Sequence, residues 1–190
     1  MYLINNYLYL TVSILIFSGL KGGEGTMEIY KFSNKSSLVN WSVVDDGVMG
    51  GYSKGNLKVN AEGFGVFTGK ISLYNYGGFS SLRYYSKNIN ITPKDTLVLR
   101  INGDNKFYQI RVRHSQKDRH IYTKKIFIPD GWSDIKIPLI ELSPSFRGRS
   151  LRMNNFNHHS ITEIGILVGN KKEENFRILI DSIYIKIHGV

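Results

Sequence analysis

Apolar and polar residues alternate along most of the chain from residue 27 onward, in short runs rich in β-branched and aromatic side chains. Successive side chains of a strand point to opposite faces, so this period of two predicts strands with one buried face. The clearest example is Lys106–Arg113, which also predicts a basic outer face. Its side chains divide into an exposed set, Phe107, Gln109, Arg111 and Arg113, and a buried set, Tyr108, Ile110 and Val112.

Glycine and polar turn residues separate these runs at intervals typical of a β-sandwich. So many strands in one chain need two packed sheets or a barrel, and the fold class is therefore predicted to be all-β. We expect a short helix at Ser36–Asn40 and a single helical turn at Leu139–Leu142 after Pro138. The predicted strands are Glu28–Phe32, Ser42–Val44, Gly55–Val59, Phe64–Ile71, Phe79–Tyr85, Thr96–Asn102, Phe107–His114, His120–Phe127, Trp132–Ile137, Ile161–Val168 and Phe176–Ile187.

Residues 1–26 differ from the rest of the chain. The apolar run Tyr7–Leu20 is shorter than the roughly 20 residues of a spanning helix, so no stable membrane span is predicted. No Lys or Arg precedes the run and no A-x-A-like cleavage site follows it, which leaves an incomplete export signal or an interfacial anchor. Alternatively, codons for Lys21–Gly23 can spell a ribosome-binding site ahead of a start at Met27. A start at Met27 predicts a cytoplasmic or membrane-peripheral protein, and a signal peptide predicts an exported one.

Residues 27–190 contain no internal repeat and no linker, which predicts a single β-sandwich domain. The absence of cysteine excludes disulfides, thiolate zinc sites and a cysteine nucleophile. A net charge of +10 favours an acidic partner, although the basic residues are dispersed along the chain. Nucleic acid is disfavoured as that partner because the motifs of its recognition folds are missing.

The most unusual segment is Trp41–Ser53, in which two carboxylates, Asp45 and Asp46, precede a glycine-rich stretch. Its candidate binding residues are the two acids together with Met49, Gly50 and Gly51. Glycines permit positive φ or a close backbone approach, and Asp side chains accept hydrogen bonds from loop amides. These properties favour a structural loop over a ligand or ion site.

A second glycine pair, Gly77 and Gly78, precedes a predicted strand that carries Arg83. An arginine within such a strand needs a partner, and Asp45 or Asp46 is predicted to supply it. The resulting pair is either a buried structural contact or the floor of a polar pocket. These three positions complete the set of candidate partner-binding or ligand-binding residues.

Several motifs occur in a distinctive order along the chain. A Trp leads into Asp-Gly-Val-Met-Gly-Gly-x-Ser, and Phe-Thr-Gly, Gly-Gly-Phe-x-Ser-x-Arg, a Gly-Asp turn and a Trp before Ile-Pro follow. From about Phe32 to Ile185 the chain resembles the complex I intermediate-associated protein 30 family. The resemblance implies a galactose-binding-like β-sandwich of jelly-roll type. It also implies an assembly factor whose protein partner is a membrane-associated intermediate of respiratory complex I.

Two loops depart from the family pattern, and they limit what the resemblance implies. Asn105 stands where a glycine is common, and the stretch Pro144–Gly148 is compact. Partner identity therefore does not carry over through these loops. Some relatives carry an NAD(P)-binding domain, but no G-x-G-x-x-G follows a strand here, so no cofactor is predicted.

No catalytic constellation emerges from the sequence, and the chain is predicted not to be an enzyme. It has no G-x-S-x-G elbow, and the adjacent His158 and His159 lack a third metal ligand at suitable spacing. A hydrolase in which Asp45 or Asp46 meets Arg83 and a histidine is the least supported alternative. The main alternative is a carbohydrate-binding module of jelly-roll type. Its stacking platforms would come from Tyr74, Tyr76, Tyr84, Tyr85 and Tyr122.

Overall fold

A computed structural model describes residues 25–189. Thirteen strands and three short 3-10 turns make up the regular structure of this part of the chain. The turns are Asp46–Met49, Tyr74–Tyr76 and Leu139–Glu141. The strands are β1 (Thr26–Lys31), β2 (Trp41–Asp45), β3 (Lys54–Val59), β4 (Gly65–Ile71), β5 (Ser80–Asn90), β6 (Thr96–Gly103), β7 (Lys106–Arg113), β8 (Ile121–Ile128), β9 (Gly131–Pro138), β10 (Ser143–Phe146), β11 (Arg149–Ser150), β12 (Ser160–Val168) and β13 (Glu174–Lys186).

The strands form two antiparallel sheets that pack face to face as a jelly-roll β-sandwich, which confirms the predicted fold class. The six-stranded sheet has the order β3-β4-β13-β6-β9, and β1 pairs with the far half of the long strand β13. The seven-stranded sheet has the order β11-β10-β8-β7-β12-β5-β2. Most neighbouring strands, such as β4 and β13 or β5 and β12, come from distant parts of the chain, so the fold depends on long-range pairing.

Alternating apolar residues of both sheets form one core between them. On β7, Tyr108, Ile110 and Val112 are at most 1% exposed, as the alternation in the sequence predicts. They meet residues of the facing sheet such as Leu99 and Ile180, which belong to the same cluster. Each such side chain contributes roughly 1.5–3 kcal/mol when fully buried, so the core accounts for most of the favourable folding energy.

The structure corrects two predictions of local structure. Ser36–Asn40 is not helical: Ser36–Leu38 is irregular and lies between turns at residues 34–35 and 39–40. The hydroxyl of Ser36 accepts a hydrogen bond from the amide of Ser33 over 2.8 Å. The short strands β10 and β11 were not predicted, because neither has an alternating apolar pattern. The turn that follows Pro138 is confirmed as a 3-10 turn.

The predictions for residues 1–26 lie outside the described residues, apart from the last two positions. Thr26 begins β1, and the carbonyl of Gly25 accepts a hydrogen bond from the amide of Ile187 over 2.8 Å. Within residues 25–189, no helix has the length and apolar character needed to cross a membrane.

Candidate functional site

The carboxylate of Asp46 lies at the centre of two loops, the one after β2 and the one before β5. Its side chain is only 1% exposed. Its Oδ1 accepts a hydrogen bond from the Ser53 amide over 3.0 Å, and its Oδ2 accepts one from the Ser53 hydroxyl over 2.5 Å. The amides of Gly78 and Phe79 also donate to Oδ2, at 2.5 and 3.3 Å. A single buried carboxylate therefore ties the two loops together.

The environment of Asp46 keeps it ionised. Burial by itself raises the pKa of this carboxyl, but the hydrogen bonds from Ser53, Gly78 and Phe79 outweigh burial and hold the pKa below its ordinary value. A group that is charged and has its acceptor positions filled by the protein is poorly suited to proton transfer. Asp46 therefore acts as an internal anchor of the loops.

The glycines of both motifs make room for this anchor. A Cβ on Gly51 would lie 2.3 Å from Asp46 Cγ, and one on Gly77 would lie 2.6 Å from Asp46 Oδ2. Gly50 ends the first 3-10 turn with φ +86°, and Gly78 has φ +132°, a backbone region that favours glycine. The side chain of Met49 lies outside the part of the chain that the structure describes.

Asp45 and Arg83 do not meet, which corrects the predicted pairing. Asp45 Oδ1 accepts a hydrogen bond from the Ser80 hydroxyl over 2.6 Å. The amide of Gly55 on the facing sheet donates to both Asp45 carboxylate oxygens over 3.1 Å. Asp45 is in register with Ser80, so it faces the core, whereas Arg83 pairs with Ser42 and points to the outer face. The alternation along the strands thus places the two side chains on opposite sides of the sheet.

Arg83 instead lies near Glu163, a residue that sequence reasoning missed. Its Nε is 3.8 Å from Glu163 Oε1, and Arg113 donates to the other carboxylate oxygen at 2.9 Å. Glu163 is one strand away from each arginine, on β12. Arg83, Glu163 and Arg113 come together because β12 pairs with both β5 and β7. No short sequence motif predicts that pairing.

Exposed aromatic side chains surround the Asp46 loops. Tyr52 and Tyr74 are 60% and 64% exposed with ring centroids 5.1 Å apart, and Tyr76 is fully exposed. Leu73 beside them is also exposed. We call Tyr52, Leu73, Tyr74 and Tyr76 the tyrosine platform. Of the tyrosines nominated for stacking, Tyr84 and Tyr122 are instead buried in the core.

The backbone of the tyrosine platform has an uncommon conformation. Asn75 and Tyr76 have φ values of 53° and 57°, in the left-handed region that residues other than glycine rarely adopt. The side-chain amide of Asn75 donates to the carbonyl of Gly50 at 3.3 Å and joins the two loops again. Local strain of this kind is concentrated at functional sites, because the surrounding structure must hold it in place.

The histidines form a separate cluster on the seven-stranded sheet. The rings of His158 and His114 stack with centroids 4.0 Å apart, and His158 Nε2 lies 2.7 Å from the hydroxyl of Tyr122. His159 beside it is exposed. Among residues 25–189, no three His, Cys, Asp or Glu side chains come together as a metal site would need.

We expect acidification to destabilise the protein through His158. Burial, and next the neighbouring His114, lower the pKa of His158, so the unfolded chain binds a proton more readily near pH 6.5. This contribution to stability is complete above the unfolded pKa and declines as the pH falls towards the folded one. Between about pH 7.5 and pH 5.5, the melting temperature should fall less in His158→Gln than in wild type. His159→Gln changes the exposed neighbouring residue and is the control. If the pH-dependent fall in melting temperature is reduced as much in His159→Gln as in His158→Gln, His158 is not the source of the effect.

These features define a galactose-binding-like β-sandwich with two loops joined at a buried acid. The family model of complex I intermediate-associated protein 30 matches residues 30–180. The chain belongs to the complex I intermediate-associated protein 30 family, which confirms the resemblance seen in its motifs.

Solved structures of carbohydrate-binding modules share this fold. The family 11 carbohydrate-binding module of the cellulosomal cellulase Lic26A-Cel5E of Clostridium thermocellum is 13% identical with a TM-score of 0.66, over 88% of this chain and 96% of that one. The Clostridium thermocellum family 11 module in complex with a β-1,3-1,4-mixed-linked tetrasaccharide is 12% identical, also with a TM-score of 0.66, over 88% and 98%. At such low identity the similarity shows a common fold only.

Proposed function

We propose that this chain is a non-catalytic assembly-factor domain that holds a protein partner through the tyrosine platform. The observation that carries the proposal is the contrast between the interior of the two loops and their surface. Asp46 is enclosed and fully hydrogen-bonded, while the side chains around it are aromatic and exposed. Exposed tyrosines provide large, rigid contact area and a hydroxyl, properties that are enriched at protein interfaces.

Membership of the complex I intermediate-associated protein 30 family supports a partner that belongs to a membrane-associated respiratory intermediate. The candidate residues Asp45, Asp46, Gly50, Gly51, Gly77 and Gly78 then serve binding indirectly, since they build the loops that present the platform. The same arrangement argues against hydrolysis, because Asp46 has its acceptor positions filled and Arg83 lies on another face. We infer no catalytic residue and no cofactor.

Affinity capture from native membranes under mild extraction tests this proposal. The triple variant Tyr52→Ser, Tyr74→Ser and Tyr76→Ser should fold and lose the partner, because the three side chains are exposed. A matched variant, Val39→Ser with Ile140→Ser and Met153→Ser, removes exposed apolar side chains elsewhere and should retain it. Recovery of no stable protein partner by the wild-type chain would refute the proposal.

The alternative is a carbohydrate-binding module, and one observation favours it. Tyr74 and Tyr76 are exposed at a loop end of a fold shared with the family 11 module in complex with a tetrasaccharide. Aromatic side chains at such a place can stack against sugar rings. Calorimetric titration with that tetrasaccharide separates the two candidates, since saturable binding lost in the triple tyrosine variant would favour the carbohydrate.

A further inference from the structure

The outer face of the seven-stranded sheet carries an ordered row of residues that crosses the strands. Cross-strand pairing aligns Ser42 with Arg83, Arg83 with Gly165, and Gly165 with Arg111. Arg111 is aligned with Thr123, which is aligned with Ser143. We call Ser42, Arg83, Gly165, Arg111, Thr123 and Ser143 the arginine row. All its members other than the two arginines are small, so the arginines carry the only long side chains of the row.

The two arginines flank the glycine at the centre of the row. Their strands are separated only by β12, so their Cα atoms are about 10 Å apart, or two strand spacings. Arg111 lies over Gly165, because a Cβ at that position would be 3.4 Å from Arg111 Cβ and 3.8 Å from Arg111 Cδ. Arg83 has only 21% of its side chain exposed.

Positive charges outnumber negative charges around the arginine row. Glu163, the carboxylate of the neighbouring row, is shared by Arg113 at 2.9 Å and Arg83 at 3.8 Å. Arg113 also donates to the carbonyls of Asp118 and His120, at 2.5 and 3.4 Å. The side chain of Arg111 makes no hydrogen bond or ion pair within residues 25–189, and its buried Nε has no acceptor there. The Nε of Arg83 is likewise buried without a hydrogen-bond acceptor.

An unpaired guanidinium in this position lowers the stability of the folded chain. Burial, and next the positive charge of Arg83, lower the pKa of Arg111 to about 10, and Glu163 opposes this only in part. A partly buried charge without a partner is unfavourable, and an anion that supplied the missing acceptors would relieve that penalty. Arg111 has no partner of its own and Arg83 shares Glu163 with Arg113, so an external carboxylate would complete the site that the two arginines form.

We propose that Arg83 and Arg111 bind carboxylate side chains of an acidic segment of the protein partner. This inference rests on the proposed function and adds a second contact surface to the tyrosine platform. Guanidinium groups bind carboxylates through paired hydrogen bonds, and the net charge of +10 attracts an acidic chain. The arginine row contains no aromatic side chain, so it offers a sugar ring no stacking surface.

Titration of the full chain with an N-acetylated, amidated hexaglutamate peptide tests the inference, with hexaglutamine as the uncharged probe. Arg83→Gln and Arg111→Gln should each weaken hexaglutamate binding at least about ten-fold, the loss expected when a charged hydrogen-bonded pair is removed. Arg111→Gln should melt at the wild-type temperature or above it. Arg100→Gln on the other sheet makes the same charge change at an exposed ion pair and should retain binding.

Three results would overturn the inference: no binding of hexaglutamate, equal binding of hexaglutamine, or an equal loss in Arg100→Gln. A preference for hexagalacturonate or inorganic phosphate over hexaglutamate would reject the acidic peptide as the occupant. The outcome is separable from that of the proposed function. If capture of the partner depends on the tyrosines but hexaglutamate does not bind, only the role of the arginine row is refuted. If hexaglutamate binds through the arginines but capture does not depend on the tyrosines, only the role of the platform is refuted.

Discussion

Replacing Asp46 with asparagine is expected to lower the free energy of unfolding by about 4 kcal/mol, the largest effect that we predict for a single polar residue. The substitution keeps the shape but exchanges an acceptor oxygen for a donor NH₂ group. Whichever way the amide turns, buried donors from Ser53, Gly78 or Phe79 lose their acceptor. Urea unfolding at neutral pH measures the loss.

A matched control separates this effect from the loss of one negative charge. Asp134→Asn makes the same chemical change at an exposed residue whose ion pair with Arg100 spans 3.4 Å, and it should cost less than about 1 kcal/mol. Because the pKa of Asp46 is lowered in the folded state, its contribution is present above the unfolded pKa and is lost as the pH falls through the folded one. A loss in Asp46→Asn no larger than in the control would contradict the structural role.

Gly51→Ala is expected to destabilise the protein by about 3 kcal/mol, because the site has no room for a methyl group. The new Cβ would lie 2.3 Å from both Cγ and Oδ1 of Asp46. Asp46 cannot retreat, since hydrogen bonds from two loops hold its carboxylate. The backbone at Gly51 must move instead, and the Asp46 contacts weaken with it. Thermal unfolding followed by circular dichroism reports the change.

The same motif supplies the control for this prediction. Gly47 belongs to the 3-10 turn Asp46–Met49, and a Cβ built on it meets nothing within 4 Å. Gly47→Ala should therefore leave the melting temperature almost unchanged. Equal effects of the two substitutions would mean that the glycines act through general loop flexibility and not through the close approach to Asp46.

The all-β class and most of the strands were predictable because alternation within a strand is local information. Alternation along β7 separates the buried residues, such as Tyr108, from the outward Arg111, and this period of two is present in the sequence itself. The short strands β10 and β11 escaped prediction because they rely on pairing with β8 and with each other. A strand of two to four residues carries too few positions to show a period.

The candidate site was predictable only in part. The motif places Asp46 near a glycine-rich loop, but its donors Gly78 and Phe79 come from a loop more than thirty residues away. The nearest carboxylate to Arg83 is Glu163, which is opposite Tyr85 in the register of β5 and β12. Such partners depend on the order of strands in the sheet, and one sequence does not contain that order in any local form.

The two surfaces of the proposal have different physical origins. The tyrosine platform is exposed because the Asp46 loops hold it away from the core, whereas the arginine row belongs to the rigid face of a sheet. The loops hold residues such as Tyr76 in a strained conformation, and the sheet holds the two arginines on the strands neighbouring β12. Together they fit a domain that recognises a protein over an extended surface.

The amount of partner that the triple tyrosine variant captures from native membranes tests whether the tyrosine platform binds the partner, with the melting temperature measured on the same preparation. We predict capture below about one-tenth of the wild-type amount at an unchanged melting temperature, because clustered aromatic residues dominate the energetics of interfaces. Capture equal to wild type by a folded triple variant would contradict the claim that this platform binds the partner.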